Sequence, residues 1–297
     1  MKSRTALWNS TYVLRWMLLA ACPLHPVKYA VAGKKLIVES SVACKVGTRS
    51  LPLADWTAVV QYLSPRFDFV VSPLSFVEIV RSMALGDELS IVEKLKRVEA
   101  LSPVRPLNPV CLEMPAQFAL REVLGKESYI ADAYQPIQMC GDIVTLLGAQ
   151  GMTNGLRTWL DEVTSKHDSG TDNFVSTHDS MRKVAQPVPT PENWVQGQFK
   201  RVNLSDDDVR KLVIALSAAY EYAVWIRRDL KSPSFSPSKH KSSWIDRQQL
   251  FYLADPAMHI LCDDNDFLRR SGGSSQKARV QMLPDVVAQA RILATSA

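Results

Sequence analysis

The chain has 297 residues, 46% of them hydrophobic, so it is expected to bury a substantial core as one large domain or two ordinary ones. Its formal charge of +5 does not mark a uniformly basic protein: residues 1–35 hold Lys2, Arg4, Arg15, Lys28, Lys34 and Lys35 and no acid, and removing those six leaves 29 basic residues against 30 acidic ones. The five cysteines, Cys22, Cys44, Cys111, Cys140 and Cys262, are scattered without a CxxC pair, which argues against a zinc knuckle or a disulfide framework and fits a reducing cytoplasm.

Residues 1–33 carry no clear period and are read as an N-terminal extension, either poorly ordered or a short helix laid on the body. Leu19-Ala20-Ala21-Cys22 looks like a bacterial lipoprotein cleavage box, but Arg15 leaves only Trp16 to Ala21 uncharged before it, shorter than the ~7 residues a signal core needs. No run approaches the ~20 apolar residues of a membrane span. The expectation is a cytoplasmic protein with no membrane partner.

The body, 34–297, opens with Leu36, Ile37 and Val38, a continuous apolar run of the kind a strand needs when both its faces are covered, closed by Glu39-Ser40-Ser41. Gly47 to Pro52 reads as loop, Asp55 to Leu63 as helix, and Phe67 to Val71 as a second strand. Ser72-Pro73 starts a helix that Gly86 is placed to end, and Glu78 lies on its apolar face with Leu74, Val77 and Arg81. A carboxylate so placed needs a partner, and Arg81 is the local candidate. Helical signals run through Glu88 to Ala100, then Pro103, Pro106, Pro109 and Pro115 break them.

Residues of about 100–235 read as a mainly helical insertion. A helix is expected over Thr153 to Lys166, surface loops over Lys166 to Thr177 and Gln186 to Pro191, and one long helix from the Ser205 cap to Leu230. Tyr220, Tyr222 and Trp225 have the spacing of packing residues on that helix. Lys231 to Lys241 is a basic Ser/Pro-rich linker.

The most informative stretch is Trp244 to Phe267. A short helix carrying Asp246 in its first turn gives way at Asp255-Pro256 to a buried strand, Met258 to Leu261, and Asp263, Asp264 and Asp266 follow within four residues. So many like charges require a compensating positive group, and an acidic turn at the carboxyl end of a parallel strand is where a hard cation is held. His259 and Cys262 read as core residues. Arg269 to Lys277 is a basic Gly/Ser loop, Ala278 to Leu283 a last strand, and Asp285 onward a closing helix. Gly272-Gly273 lacks the following lysine and helix of a phosphate loop, which argues against a nucleotide triphosphatase.

Four motifs in order, LIVESS at Leu36 to Ser41, SPLSFVEIV at Ser72 to Val80, IDRQQLFYLA at Ile245 to Ala254 and ILCDDNDF at Ile260 to Phe267, resemble those of a PIN-like domain. The resemblance frames about half the chain and implies an α/β, parallel-sheet Rossmann-like three-layer domain with a helical insertion. It implies a Mg²⁺- or Mn²⁺-dependent endoribonuclease acting on single-stranded RNA. Carried over by position, Glu39, Glu78, Asp246 and Asp264 are the catalytic, metal-binding acids, with Asp266 an outer or alternate ligand. Glu39 departs from the aspartate usual there, its extra methylene moving the carboxylate by ~1.5 Å, and Ser41 from the frequent asparagine.

Basic residues flank the acids, with Lys239, Lys241 and Arg247 before them and Arg269 and Arg270 after, and are read as nucleic-acid-binding rims. The resemblance further suggests a homodimer; nothing in the sequence indicates an antitoxin-like inhibitor. The alternative is a catalytically degenerate PIN-like module that binds nucleic acid or a protein without cleaving. A metal-dependent phosphatase or small-molecule hydrolase shares the same acidic pocket.

Overall fold

The computed structural model describes residues 33–85, 91–105, 109–125, 150, 152–183, 187–232, 235–236, 242–272 and 274–296. The expected N-terminal extension with its cleavage-box sequence, and Lys239 and Lys241 of the linker, lie outside the described residues. Among the described residues no helix is long and apolar enough to cross a membrane.

Five parallel strands form one sheet: β1 (Lys34–Val38), β2 (Phe67–Val71), β3 (Val110–Cys111), β4 (Met258–Cys262) and β5 (Val280–Met282), in the order β3-β2-β1-β4-β5. The central register pairs Val38 with Leu261. Successive side chains leave a strand on opposite faces, and the two cores follow that alternation. Leu36, Val38, Phe69, Val71 and Leu261 join one apolar cluster, while Ile37, Val70, Ile260 and Cys262 join the other. Every residue of β4 is buried, as its unbroken apolar sequence requires when helices cover both faces. The result is a three-layer Rossmann-like α/β domain.

The first layer holds α1 (Ser40–Ala43), α2 (Leu53–Leu63), α3 (Pro73–Leu85), α4 (Ile91–Leu101) and the C-terminal helix. On the other face lie α5 (Pro115–Leu124), α7 (Pro191–Gln198), α8 (Asp206–Ala215), α9 (Ser217–Asp229) and the 3₁₀ turn Leu250–Ala254. The segment of about 100–235 is therefore no appendage. It contains β3, hydrogen-bonded to β2, and supplies most of one layer.

Two local expectations need correction here. α6 runs over Asn154–Lys183, 30 residues or about 45 Å, straight through the stretch expected to be a loop. Tertiary contacts override the turn-forming sequence: Arg81 pairs with Asp168 at 2.7 Å, Trp244 Nε1 donates to Thr171 Oγ1, and Phe174 and His178 are buried. The helix expected from Ser205 to Leu230 is instead two, α8 and α9, which meet at Leu216. Its start is as expected, a capping box between Ser205 and Asp208.

The remaining elements are α10 (Ser243–Gln249), α11 (Asn265–Arg270), a 3₁₀ turn at Ser275–Arg279 and α12 (Leu283–Ser296). Gly272 follows α11 with φ +76°, and a Cβ there would lie 2.6 Å from Glu221 Cβ, so both conformation and space require glycine.

Candidate active site

Strand order reverses between β1 and β4, and a crevice opens at such a point beyond the carboxyl ends of the strands. Glu39 ends β1 there and Asp263-Asp264 end β4. Glu39 is held by local structure: its backbone N–H donates to Leu261 O at 2.9 Å, and its Oε2 accepts from Ser41 N–H at 2.9 Å as the cap of α1. α3 brings the half-buried Glu78 against it. α10 adds Asp246, only 7% exposed, whose Oδ2 accepts from the Tyr222 hydroxyl at 3.0 Å.

Ser40 joins the two glutamates. Its Oγ lies 2.6 Å from Glu39 Oε1 and 2.6 Å from Glu78 Oε2. The two carboxyl oxygens are thus at most 5.2 Å apart, twice that contact. Ionised together at that separation they would repel by roughly 3 kcal/mol at an effective dielectric near 20. One hydroxyl proton cannot serve two carboxylates, so a carboxyl must supply the second. Loss of solvent, then the nearby Glu39 and Asp246, hold Glu78 well above the usual glutamate range, which assigns it the proton. The chain then reads Glu78 O–H to Ser40 Oγ, and Ser40 O–H to Glu39.

Asp246 is raised in the same way, by burial first and by Glu39, with Asp264 adding to it; the Tyr222 hydroxyl and Arg270 act in the opposite direction. Asp264 is exposed and uses Oδ1 to cap α11, accepting from Asp266 N–H at 2.8 Å. Four acids distant in sequence therefore gather at one strand end, within electrostatic reach of one another. Arg81, the local candidate for Glu78, pairs instead with Asp168 and is the weakest influence on Glu78.

Three expected site residues are placed elsewhere. Both oxygens of Asp266 face guanidinium groups, Arg269 at 3.0 Å and Arg270 at 3.4 Å, so its charge is already matched and it is withdrawn from the ligand set. Arg270 is only 2% exposed and also binds Asp229 and Ser243, which makes it a buried tie rather than a surface contact for phosphate. Arg247 follows Asp246 on α10 but lines a cavity among the helices of the second layer. Arg269, about half exposed, pairs with Asp266 at 3.0 Å and lies 3.9 Å from Asp229. Asp263 pairs with Lys45, and its N–H donates to Ser41 Oγ at 3.1 Å.

Sequence reasoning missed Ser40 and Tyr222. Tyr222 does pack in the core, yet its hydroxyl supports Asp246, and only the fold reveals that. Cys262 is fully buried, and burial pushes its thiol up, as fits packing. His259 packs edge-on against Phe67, but its buried Nδ1 has no hydrogen-bond partner among the described residues.

All the donors at the crevice are oxygen atoms, the preference of a hard divalent cation, and the charge that Glu78 and Asp246 would carry there is held down by protons. Oxygen donors of this kind are those that Mg²⁺ or Mn²⁺ takes. In the arrangement seen, no three His, Cys, Asp or Glu among the described residues are disposed to hold one ion. Comparison with family models, curated proteins and solved structures gives no match, so no family is assigned.

Replacing Glu78 by Gln should stabilise the protein at alkaline pH by about 1–2 kcal/mol. The sign follows from proton linkage: the folded state holds the Glu78 proton above the pH at which the unfolded chain releases it, so wild-type stability falls as pH rises from the ordinary glutamate range through the raised folded value. The amide carries no charge to desolvate and can still donate to Ser40. Thermal melts should show a gap that closes below about pH 4, where the unfolded carboxyl is protonated too; a gap independent of pH would contradict the assignment of the proton.

Proposed function

We propose that this protein is a divalent-metal-dependent endoribonuclease of PIN-like character, acting in the cytoplasm on single-stranded RNA. The observation that carries the reading is the gathering of Glu39, Glu78, Asp246 and Asp264 at the β1/β4 crevice, with Glu39 and Asp246 buried and Glu78 and Asp246 raised by desolvation and mutual proximity. Supporting it is the strand order, which sets β1 and β4, the strands that lead into Glu39 and Asp264, side by side.

Bound Mg²⁺ or Mn²⁺ would lower the pKa of a water and neutralise charge developing on a phosphodiester. Glu39, Glu78 and Asp246 would hold the ion, and Glu78 and Asp246, raised by burial and mutual proximity, would have to be ionised to do so. Asp264, exposed and capping α11 through Oδ1, would offer its other oxygen. Tyr222 holds Asp246 in orientation through the 3.0 Å hydrogen bond. Because the ligands would have to be deprotonated, metal affinity should rise with pH.

The purified chain should cleave single-stranded RNA in Mn²⁺ or Mg²⁺ and stop when the metal is chelated. Cleavage that continues in chelator would overturn the reading. A non-cleaving PIN-like module is the second reading, favoured by Glu39 in place of aspartate, and saturable metal binding without cleavage would select it.

A further inference from the structure

A second site lies away from the acids, in a cavity of about 360 Å³ walled by α6, α7, α9 and α10. That is within the roughly 300–1,000 Å³ of small-molecule pockets. Two guanidinium groups reach it, Arg227 and Arg247, and among the described residues neither has a carboxylate within ion-pair distance. Arg227 is partly engaged, donating to Pro187 O at 3.0 Å. Arg247 Nε is buried with no partner among the described residues. Burial brings the Arg247 pKa down to about 10, so it remains charged at neutral pH. Two cations side by side, both partly withdrawn from water, are costly unless an anion answers them.

The rest of the wall is aromatic and amide. Trp244 is fixed, its Nε1 on Thr171 Oγ1 at 3.3 Å and its indole seated on Gly170, where an added methyl would lie 3.0 Å from Cζ2. The His178 ring lies against Phe174, tilted by 35° with centroids 3.9 Å apart, and its Nδ1 bonds Phe174 O at 2.7 Å. A carbonyl only accepts, so Nδ1 carries the proton and Nε2 is an acceptor. Asn173 and Gln198 add paired amide donors and acceptors, the groups that read the edge of a nucleobase.

We propose that this cavity binds a nucleoside monophosphate, with Arg227 and Arg247 on the phosphate and the base against Trp244. Guanidinium groups match phosphate oxygens, and an aromatic ring held in place is a stacking platform that tolerates any base. Two sources share that chemistry, a free nucleotide and the phosphorylated end of an RNA strand. This inference stands apart from the metal reading, since none of the four acids lines the cavity.

Calorimetry on the full chain in chelator separates the two, because the acid site is then metal-free. AMP and UMP should bind; adenosine, which lacks the phosphate, and inorganic phosphate, which lacks the base, should each bind about tenfold more weakly or less. Arg247→Met should weaken AMP by roughly 10- to 100-fold, the worth of a charge-assisted hydrogen bond, and Trp244→Ala by a similar factor through lost stacking. If Arg247→Met does not fold by circular dichroism, Arg227→Met serves in its place. A 5′-phosphorylated oligonucleotide that binds where its 5′-hydroxyl form and free nucleotides do not assigns the site to an RNA end. The proposal is overturned if no phosphorylated ligand binds, if inorganic phosphate binds as tightly as AMP, or if folded Arg247→Met binds like wild type.

Discussion

Asp246→Asn is expected to abolish metal-dependent RNA cleavage, with a rate loss of at least about 100-fold, because a metal-ligating carboxylate supports several kcal/mol of transition-state stabilisation. The substitution is close to isosteric. The amide oxygen it introduces can still accept the Tyr222 hydroxyl, and the amide replaces a carboxyl whose ionised form burial and Glu39 already disfavour. Thermal stability without metal should therefore be unchanged or higher. That combination separates a role in chemistry from a role in folding, since a structural residue would lose stability along with activity. Single-turnover cleavage and a melt on the same preparation check it; full cleavage by the variant would remove Asp246 from the site.

The second large effect is on folding. Arg270→Met should destabilise the protein by roughly 3–5 kcal/mol, the cost of breaking a buried ion pair from one side. The guanidinium is 2% exposed and touches Asp229 at 3.1 Å, Asp266 at 3.4 Å and Ser243 Oγ at 3.1 Å, so its loss removes the buried cation of this network and leaves only the half-exposed Arg269, 3.0 Å from Asp266 and 3.9 Å from Asp229. For a chain of this size the melting temperature should fall on the order of 10 °C. Chemical denaturation measures it, and the salt dependence of RNA binding should not change. A stable variant with weakened RNA binding would restore Arg270 to the surface role expected from its sequence.

The contrast between Arg270 and Asp246 shows where sequence was legible. The strands were readable because burial on both faces demands unbroken apolar runs, and Leu36 to Val38 and Met258 to Leu261 supply them. Acids that follow such strands, or that open a short helix beside them, are not explained by packing, which is why Glu39, Asp264 and Asp246 stood out. Arg270 sits in a basic Gly/Ser segment that reads as solvated, and only three-dimensional packing reveals that it points inward. β3 has two residues, too few for any period to register, and it fell inside a proline-rich passage. The middle of α6, HDSGTDN, is written in turn-forming residues; it is helical because Asp168, Gly170 and Thr171 each meet a partner from α3 or α10. Ser40 and Tyr222 had no signal, since a serine beside a capping acid and a tyrosine at core spacing are ordinary.

The proton held between Glu78 and Ser40 ties electrostatics to function. A site that stores protons where a cation belongs should exchange one for the other, and that exchange is directly measurable. Calorimetric titration of Mn²⁺ into the purified chain at pH 6 and pH 8, in buffers of different ionisation enthalpy, reads both affinity and proton release. One saturable site, tighter at pH 8, releasing protons and lost in Asp246→Asn, is the predicted result. No saturable binding at either pH, or equal binding by wild type and Asp246→Asn, would contradict the assignment of the acid cluster as a metal site.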